Sequence, residues 1–272
     1  MCHKLDRVPD PLADPNVNCR SLGVPTESVV VLWVWRLFLI WTAVGSVVMV
    51  AGLNAGNVGR WFSSPSIQPV AAQFLAYADL VWMALATAVV YLRVAATDGL
   101  ARARVSALIV VSGSATVEWI GARSGVPFGP YLYTDAFGPL ILGVLPIAIP
   151  LAWTVIVLGS RILVLHFRPA MSRWRLSLSV ALLAVATDLN LEFIAWKARG
   201  YWIWYPGDAN PPAWPPFQNF LSWFLLAFVL HAFLPAPQPT PQPAFAIPRA
   251  ALVVPIMNAL FLLVHASRFF RG

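Results

Sequence analysis

Apolar residues fill most of the chain in long blocks, each close to the length of about 20 residues that crosses a bilayer as a helix. The blocks lie near residues 29–53, 70–94, 104–122, 139–165, 176–197, 218–234 and 249–266. Short polar stretches separate these blocks, so the hydropathy pattern predicts seven transmembrane spans. The expected fold class is an all-α, polytopic transmembrane helix bundle.

Polar and proline-rich stretches lie before and between the apolar blocks. Residues 1–28 hold several aspartates and prolines and lack the apolar core and cleavage site of a signal peptide, so we interpret them as a disordered polar tail. Residues 235–248 are rich in proline, which cannot supply the N–H groups of a helix, and are expected to form an extended linker. Residues 29–272 would then form one transmembrane helical domain that contains this linker.

The composition agrees with a membrane setting. Hydrophobic residues make up 59% of the chain, charged residues make up 11%, and the mean hydropathy is +0.73. These values lie outside the usual profile of a soluble domain and predict an integral membrane protein. The net charge is +7, but the basic residues stand singly between apolar runs. Such scattered cations are typical of loops near anionic lipid, so membrane lipid is an expected partner and nucleic acid is not.

The distribution of basic residues between loops predicts an orientation. Lys and Arg are enriched in the cytoplasmic loops of membrane proteins with short loops. With seven spans, the N-terminal tail falls on the same side as the basic loops that contain Arg102, Arg173 and Arg249. The opposite side carries fewer cations. We therefore expect a protein of the cell (plasma) membrane with a cytoplasmic N-terminus.

Two aromatic segments rich in Gly or Pro, residues 118–135 and 188–204, interrupt the apolar pattern, and each lies next to carboxylates. Ionisable groups at membrane depth are costly and are usually tied to partners or to function. With the predicted orientation, Glu118 lies near the outer end of the third span, and Asp188 and Glu192 lie in the outer half of the fifth. The two segments are therefore expected to form one site.

Asp188 and Glu192 are four residues apart and share one face of a helix, along which Trp196 and Arg199 would roughly continue. Two close carboxylates in a low-dielectric site repel each other and tend to share a proton, which leaves a neutral acid available as a donor. The alternative is a structural network in which Arg123, Lys197 or Arg199 neutralises the acids. The sequence leaves both interpretations open.

Other candidates are less well defined by the pattern. Asp135 follows two tyrosines in a loop, where it is either a solvated turn residue or part of the site. Asp79 lies in the second span without a charged neighbour in sequence and can pair with another helix. Trp202 and Trp204 lie close to the acids, and they either belong to a membrane-interface belt or line a cavity and stabilise a cation with their ring faces.

Several chemistries lack a signal. The four histidines lie on separate segments without the i, i+4 spacing of a helical metal site, and both cysteines lie in the N-terminal tail. The chain contains neither a Gly-x-Gly-x-x-Gly turn after a strand nor a phosphate-binding loop of the Walker type. We therefore predict neither a metal nor a cofactor.

A set of ordered motifs surrounds the same acids. The longest are Gly125-Val-Pro-Phe-Gly-Pro-Tyr-Leu-Tyr-Thr-Asp135, Asp188-Leu-Asn-Leu-Glu192, Gly200-Tyr-Trp-Ile-Trp204 and Gln218-Asn-Phe-Leu-Ser-Trp223. The others are Glu118 and residues 138–139, 142–144 and 149–153. With these motifs, the region from about residue 75 to 230 resembles the membrane carotenoid hydratases, of the bisanhydrobacterioruberin hydratase and gamma-carotene hydratase type.

The chain departs from the family pattern at four places. Leu145 is an extra residue before Pro146, Phe193 stands in place of a proline, and Ser222 stands in place of a glycine. Residues 214–216 replace a more usual Gly-Val-Pro. These changes leave the acids in place, so they bear on the choice of substrate more than on the type of reaction.

The resemblance implies a carotenoid 1,2-hydratase type of hydro-lyase that adds water, without a cofactor, to the terminal double bond of an acyclic carotenoid. An acid would protonate the alkene and a second carboxylate would hold the attacking water, giving a tertiary alcohol. The expected catalytic residues are Glu118, Asp135, Asp188 and Glu192. The expected substrate-binding residues are Tyr131, Tyr133, Trp202, Trp204 and Asn219. Other enzymes of carotenoid biosynthesis are candidate partners.

Two alternatives stay open. The spacing of Asp188 and Glu192 superficially resembles the acidic motifs of isoprenoid transferases, including carotenoid elongases, which hold a diphosphate through Mg²⁺ with two acidic clusters. The sequence offers one such cluster. The other alternative is a carotenoid- or lipid-binding membrane protein or transporter without catalysis, in which the acids would be structural or would relay protons.

Overall fold

The computed structural model describes residues 28–238 and 247–269. The helices in this part of the chain are α1 (Val29–Ala51), α2 (Ile67–Asp98), α3 (Leu100–Ser124), α4 (Ala148–Phe167), α5 (Arg173–Glu192), α6 (Phe217–Phe233) and α7 (Val253–Phe269). The strands are β1 (Tyr131–Tyr133), β2 (Leu140–Ile141), β3 (Leu145–Pro146) and β4 (Trp202–Trp204). Short 3₁₀ turns cover Ala55–Arg60, Asp135–Phe137 and Arg249–Leu252, and a π-helical segment, Phe193–Arg199, follows α5.

The described part of the chain is an all-α, polytopic bundle, which confirms the predicted fold class. Six helical segments are long and apolar enough to cross a membrane, and α6, with 17 residues, is a shorter apolar helix within the sixth predicted span. The fourth predicted span begins too early. Its helix starts only at Ala148, because the chain first turns through β2 and β3, with Leu142 and Gly143 at positive φ between them.

The predicted terminal and linker segments fall largely outside the described residues. Of the tail at 1–28, only Ser28 is described, and its side chain accepts a hydrogen bond of 3.4 Å from the Val31 N–H as the N-cap of α1. Of the linker at 235–248, residues 239–246 lie outside the described ranges. Residues 235–238 have no regular secondary structure.

Helix α4 is the centre of the bundle and α1 lies at its edge. In the most apolar window of each helix, 72% of α4 residues are buried, compared with 17% of α1 residues. Helix α4 packs against α2, α3, α5 and α7, whereas α1 packs against α2 and α7. Removing α1 would therefore expose only part of the core, while the position of α4 determines the packing of most of its neighbours.

Glycines let two pairs of helices approach closely. A Cβ atom on Gly159 of α4 would lie 2.8 Å from a Val254 methyl of α7, and one on Gly113 of α3 would lie 2.6 Å from a Leu230 methyl of α6. Small residues at helix contacts are the usual way for membrane helices to gain van der Waals packing without a hydrophobic driving force. These contacts define how deeply α6 and α7 pack into the bundle.

Buried ion pairs connect other elements. Arg161 of α4 contacts Asp98 at the end of α2, with 3.1 Å between Nη2 and Oδ2. Asp79 of α2, for which the sequence named no partner, pairs with Arg199 at the end of the π-helical segment. Each charge satisfies its partner in a region where an isolated ion would be strongly destabilised.

The close contact at Gly159 generates a stability prediction. We expect Gly159→Ala to melt at a lower temperature than Gly45→Ala, because the new methyl group overlaps Val254 at the first site and meets nothing within 4 Å at the second. Overpacking of this kind costs about 1–3 kcal/mol. Thermal unfolding of both variants in the same detergent measures the difference, and equal melting temperatures would contradict the close α4–α7 contact.

Candidate functional site

A two-stranded ribbon of β1 and β4 lies at the end of the bundle where α3 and α5 end and α4 and α6 begin. The strands are antiparallel, with Tyr131 opposite Trp204 and Tyr133 opposite Trp202. Side chains alternate along a strand, so all four of these aromatic residues face inward and are buried, while Leu132 between the tyrosines faces outward. The ribbon therefore presents two hydroxyls and two indole N–H groups to the interior.

The tyrosines of β1 bind Glu118, which lies near the end of α3 and is 3% exposed. The hydroxyls of Tyr131 and Tyr133 donate to Glu118 Oε2 over 2.9 and 2.7 Å. The indole N–H of Trp153, on the central helix α4, donates to Glu118 Oε1 over 2.8 Å. Burial and the nearby Glu118 raise the pKa of both tyrosines, so the hydroxyls keep the protons that they donate.

The tryptophans of β4 bind Glu192, the last residue of α5. The indole N–H groups of Trp204 and Trp202 donate to Glu192 Oε2 over 2.9 and 3.3 Å. The side-chain amide of Asn219, in the first turn of α6, donates to Glu192 Oε1 over 2.9 Å. Each strand of the ribbon thus holds one carboxyl group, and a residue from a neighbouring helix completes the set of donors.

Asp188 lies one helical turn before Glu192 and is completely buried. The Asn219 amide also donates to Asp188 Oδ2, over 2.9 Å, so a single amide group bridges the two carboxyls. Asp188 Oδ1 is buried and has no hydrogen-bond partner among the described residues. Buried carboxyl oxygens are normally satisfied, so this unpaired oxygen distinguishes Asp188 from Glu118 and Glu192, both of whose oxygens accept hydrogen bonds.

The cations near the acids in sequence have other partners. Arg199 pairs with Asp79, the Arg123 guanidinium lies 4.7 Å from the centre of the Trp119 ring, and the Lys197 ammonium lies 3.2 Å from the centre of the Trp196 ring. The structure therefore does not support the alternative in which one of these cations neutralises the acids. Hydroxyl, indole and amide groups, all neutral, are the donors that contact the three carboxyls.

The expectation that Arg199 continues the face of Asp188 and Glu192 is wrong, because Arg199 pairs with Asp79. The chain leaves the α-helical repeat after Glu192 and forms the π-helical segment, whose wider turn changes the direction of the following side chains. Arg199 reaches Asp79 on α2 instead of the acids. Apolar periodicity does not distinguish a π-helical turn from an α-helical one, so the sequence carried no sign of this change.

Glu118 and Glu192 line one cavity, whose other walls are almost entirely apolar and aromatic. Its volume is about 40 Å³, enough for a few water molecules. Met49, Met83 and Met257 are among its lining residues. Methionine side chains are flexible and adapt to irregular shapes, so this cavity can widen around an apolar guest.

Most of the predicted site residues meet at this cavity. Glu118, Glu192, Tyr131, Tyr133, Trp202, Trp204 and Asn219 all line it. Asp188 lies behind the wall and reaches the site through Asn219. Asp135 is not brought to the cluster, because it is exposed at the start of a short 3₁₀ turn beyond β1.

Two tryptophans belong to the site although the sequence assigned them no role. Trp153 binds Glu118 and packs against Trp223, with 4.5 Å between the ring centres, and both rings line the cavity. Trp153 is the last residue of the family motif at 149–153, and Trp223 is the last residue of the motif at 218–223. The sequence therefore connected these two residues with the acids only through the family pattern. Their contact depends on how α4 and α6 pack, which hydropathy does not specify.

The arrangement of His, Cys, Asp and Glu side chains also bears on metal binding. Within the described ranges, no group of three or more His, Cys, Asp or Glu side chains is arranged to hold a metal ion. At the site, Asp188 and Glu192 form a pair and Glu118 lies apart from them, and the donors that contact these three carboxyls are neutral.

Comparison with known proteins identifies the family. No solved structure matches the chain. Over 112 residues the chain is 33% identical to the bisanhydrobacterioruberin hydratase of Haloarcula japonica, and this alignment covers 40% of the chain and 36% of that protein. The chain thus spans about a third of the length of this relative.

The family profile covers more of the chain than this alignment does. Residues 78–270 match the family described as carotenoid biosynthesis protein. The matched region contains the three carboxyls of the site, both strands of the ribbon and Asn219. The match confirms the resemblance found in the motifs: this integral membrane chain belongs to the carotenoid biosynthesis protein family.

Proposed function

We propose that the protein is a hydro-lyase of the carotenoid 1,2-hydratase type, which adds water to the terminal double bond of an acyclic carotenoid and forms a tertiary alcohol. The observation that carries this proposal is the pair of carboxyls, Glu118 and Glu192, on the wall of one apolar, aromatic cavity. The similarity to a bisanhydrobacterioruberin hydratase supports the class of reaction.

The reaction needs an acid, a water molecule and a base. A carboxyl group transfers its proton to the less substituted alkene carbon, and the alkene π electrons form the new C–H bond, which leaves a tertiary carbocation. Water attacks the cationic carbon, and a carboxylate accepts the proton that the water loses. The two proton transfers balance, so no redox cofactor is required.

The hydrogen bonds suggest a division of roles. Asp188 and Glu192 share the Asn219 amide, and two carboxyls held so close tend to share one proton. In the proposed reaction Glu192 delivers this proton, because it lines the cavity, and Asp188 acts behind it as a positioning residue. Glu118, on the other strand of the ribbon, is the base that orients water.

The aromatic walls suit the proposed intermediate. Trp153 and Trp223 pack together beside Glu118, and the inward faces of the ribbon complete the enclosure. Ring faces stabilise cations, most strongly where water is excluded. The tyrosine hydroxyls of β1 hold their protons and can keep Glu118 oriented while charge develops nearby. Asp135 is left out of the proposed acid–base group because it is exposed away from the cavity.

A carotenoid-binding protein without catalysis is the second candidate. It is favoured by the full set of donors around Glu118 and Glu192, which would also stabilise the acids in a purely structural role. An isoprenoid transferase is the third candidate, on the spacing of Asp188 and Glu192 alone. Pigment that binds and is recovered unchanged would favour the second, and dependence on Mg²⁺ would favour the third.

The orientation and location are also proposals. Basic residues such as Arg102 and Arg173 lie at the end of the bundle opposite to the ribbon. By the preference of Lys and Arg for cytoplasmic loops, the N-terminus is cytoplasmic and the site lies toward the outer leaflet of the cell membrane. A carotenoid dissolved in that leaflet would reach the site without crossing water, and other enzymes of the pathway are the expected partners.

The proposed acid–base group generates a direct test. We expect Glu118→Gln and Glu192→Gln to lower the hydration rate by about 10² to 10⁴, the usual contribution of a general acid or base, because the amide retains the shape but not the proton chemistry. Cells that accumulate lycopene supply the substrate, and mass spectrometry detects the gain of one water. Asp208→Asn, on an exposed loop, is the control. Full activity in both glutamine variants would refute the assignment.

The bridging amide generates a second test. We expect Asn219→Ala to lower kcat with little change in KM and to shift the pH–rate profile, because Asp188 and Glu192 lose the group that holds them together. The neighbouring Gln218→Ala removes an amide that instead donates to the Pro127 carbonyl over 3.3 Å, and it should keep the wild-type profile. An unchanged profile in the Asn219 variant would show that the bridge has no part in proton transfer.

Metal removal separates hydration from transfer. We expect EDTA to leave the gain of water on an acyclic carotenoid unchanged, because the proposed steps use side chains and water only. A diphosphate-dependent transferase would lose activity under the same treatment and regain it with Mg²⁺. Loss of hydration that Mg²⁺ restores would contradict the proposed mechanism.

A further inference from the structure

A groove between α1 and α2 lies beside the cavity and is much larger. Its volume is about 270 Å³, compared with about 40 Å³ for the cavity that holds the carboxyls. Met49 and Trp82 line both spaces. The groove therefore adjoins the site across two side chains, on the edge of the bundle where α1 packs.

Exposed apolar side chains form the mouth of the groove. Ile40 and Val44 of α1 and Phe74 of α2 line it and are exposed. Apart from the ion pair of Asp79 and Arg199, in which each charge satisfies the other, its wall is almost entirely apolar. A space with these properties is suited to an apolar chain that enters sideways from lipid.

Trp82 and Met49 form the boundary between the groove and the cavity. Contacts hold Trp82 in place, whereas the Met49 side chain is flexible. The Trp82 indole N–H donates to Thr42 Oγ1 over 2.9 Å, and its ring packs edge-to-face on Phe261. Met49, opposite, ends in a flexible thioether that can change rotamer at low cost. Movement of Met49 would join the two spaces while Trp82 stays in place.

We propose that the linear polyene of the substrate lies in the groove between α1 and α2 and that its end group passes between Met49 and Trp82 to reach the carboxyls. This inference rests on the proposed function. The small cavity accommodates an end group at most, so the rest of a long carotenoid needs an apolar space that leads to the lipid. The groove thereby selects long, acyclic polyenes over short isoprenoids with the same terminal double bond.

The groove can be altered without changing the site. Its α1 wall lies outside residues 78–270, the region matched by the family profile. Gly45 lies on this wall, and a Cβ atom there would meet nothing within 4 Å. A large side chain at this position would occupy the groove and leave the ribbon and its hydrogen bonds intact.

The experiment compares Gly45→Phe with Val47→Phe in lipid nanodiscs. Val47 is on the same helix, is 70% exposed and does not line the groove, so it controls for the added ring. Lycopene binding is measured by quenching of tryptophan fluorescence, and hydration is measured on lycopene and on a short acyclic isoprenoid with the same end group. We expect Gly45→Phe to weaken lycopene binding by about tenfold, or 1.4 kcal/mol, and to leave the short substrate unaffected, while Val47→Phe matches the wild type.

A second variant tests whether a loss of lycopene binding in Gly45→Phe comes from misfolding. Val44→Phe lies at the exposed mouth, where a ring fits without repacking, and it should weaken lycopene binding in the same direction. If Gly45→Phe and Val44→Phe melt at the wild-type temperature and bind lycopene as tightly as the wild type does, the groove does not hold the polyene. If lycopene binding falls in Gly45→Phe and Val44→Phe but the wild type hydrates neither substrate, the proposed function fails and the groove is still the binding site of the polyene.

Discussion

The site depends on hydrogen bonds from neutral aromatic donors to two buried carboxyl groups. Burying a carboxyl without partners is strongly unfavourable, and most of the hydrogen bonds that offset this cost at Glu118 and Glu192 come from the ribbon. The tyrosines of β1 donate hydrogen bonds to Glu118, and the tryptophans of β4 donate hydrogen bonds to Glu192. Pairing of these two short strands, from segments far apart in the chain, therefore positions both acids at once.

The choice of neutral donors has a chemical consequence. A buried arginine would have formed an ion pair with the acids and held them in a fixed charge state. Arg199 instead pairs with Asp79, and this ion pair connects α2 to the π-helical segment after α5. Hydroxyl, indole and amide groups orient the carboxyls without fixing their charge state, as the proposed hydration requires.

The cavity at the ribbon and the groove between α1 and α2 have different positions in the bundle. The central helix α4 contributes Trp153 to a small cavity that is lined mostly by buried side chains. The peripheral helix α1 contributes the wall of a larger groove open to lipid. In the proposed function, the core position corresponds to the chemistry and the edge position to substrate access.

The sequence by itself determined the helices and most of the site residues. Membrane helices satisfy their own backbone, so apolar blocks locate them, and carboxylates such as Glu118 in such blocks stand out because burial is costly. The tertiary structure alone decided the partners: that Asn219 bridges Asp188 and Glu192, that Arg199 pairs with Asp79, and that Asp135 stays outside. These contacts join residues distant in the chain, and they depend on helix packing and on a π-helical turn that no local pattern of apolar residues encodes.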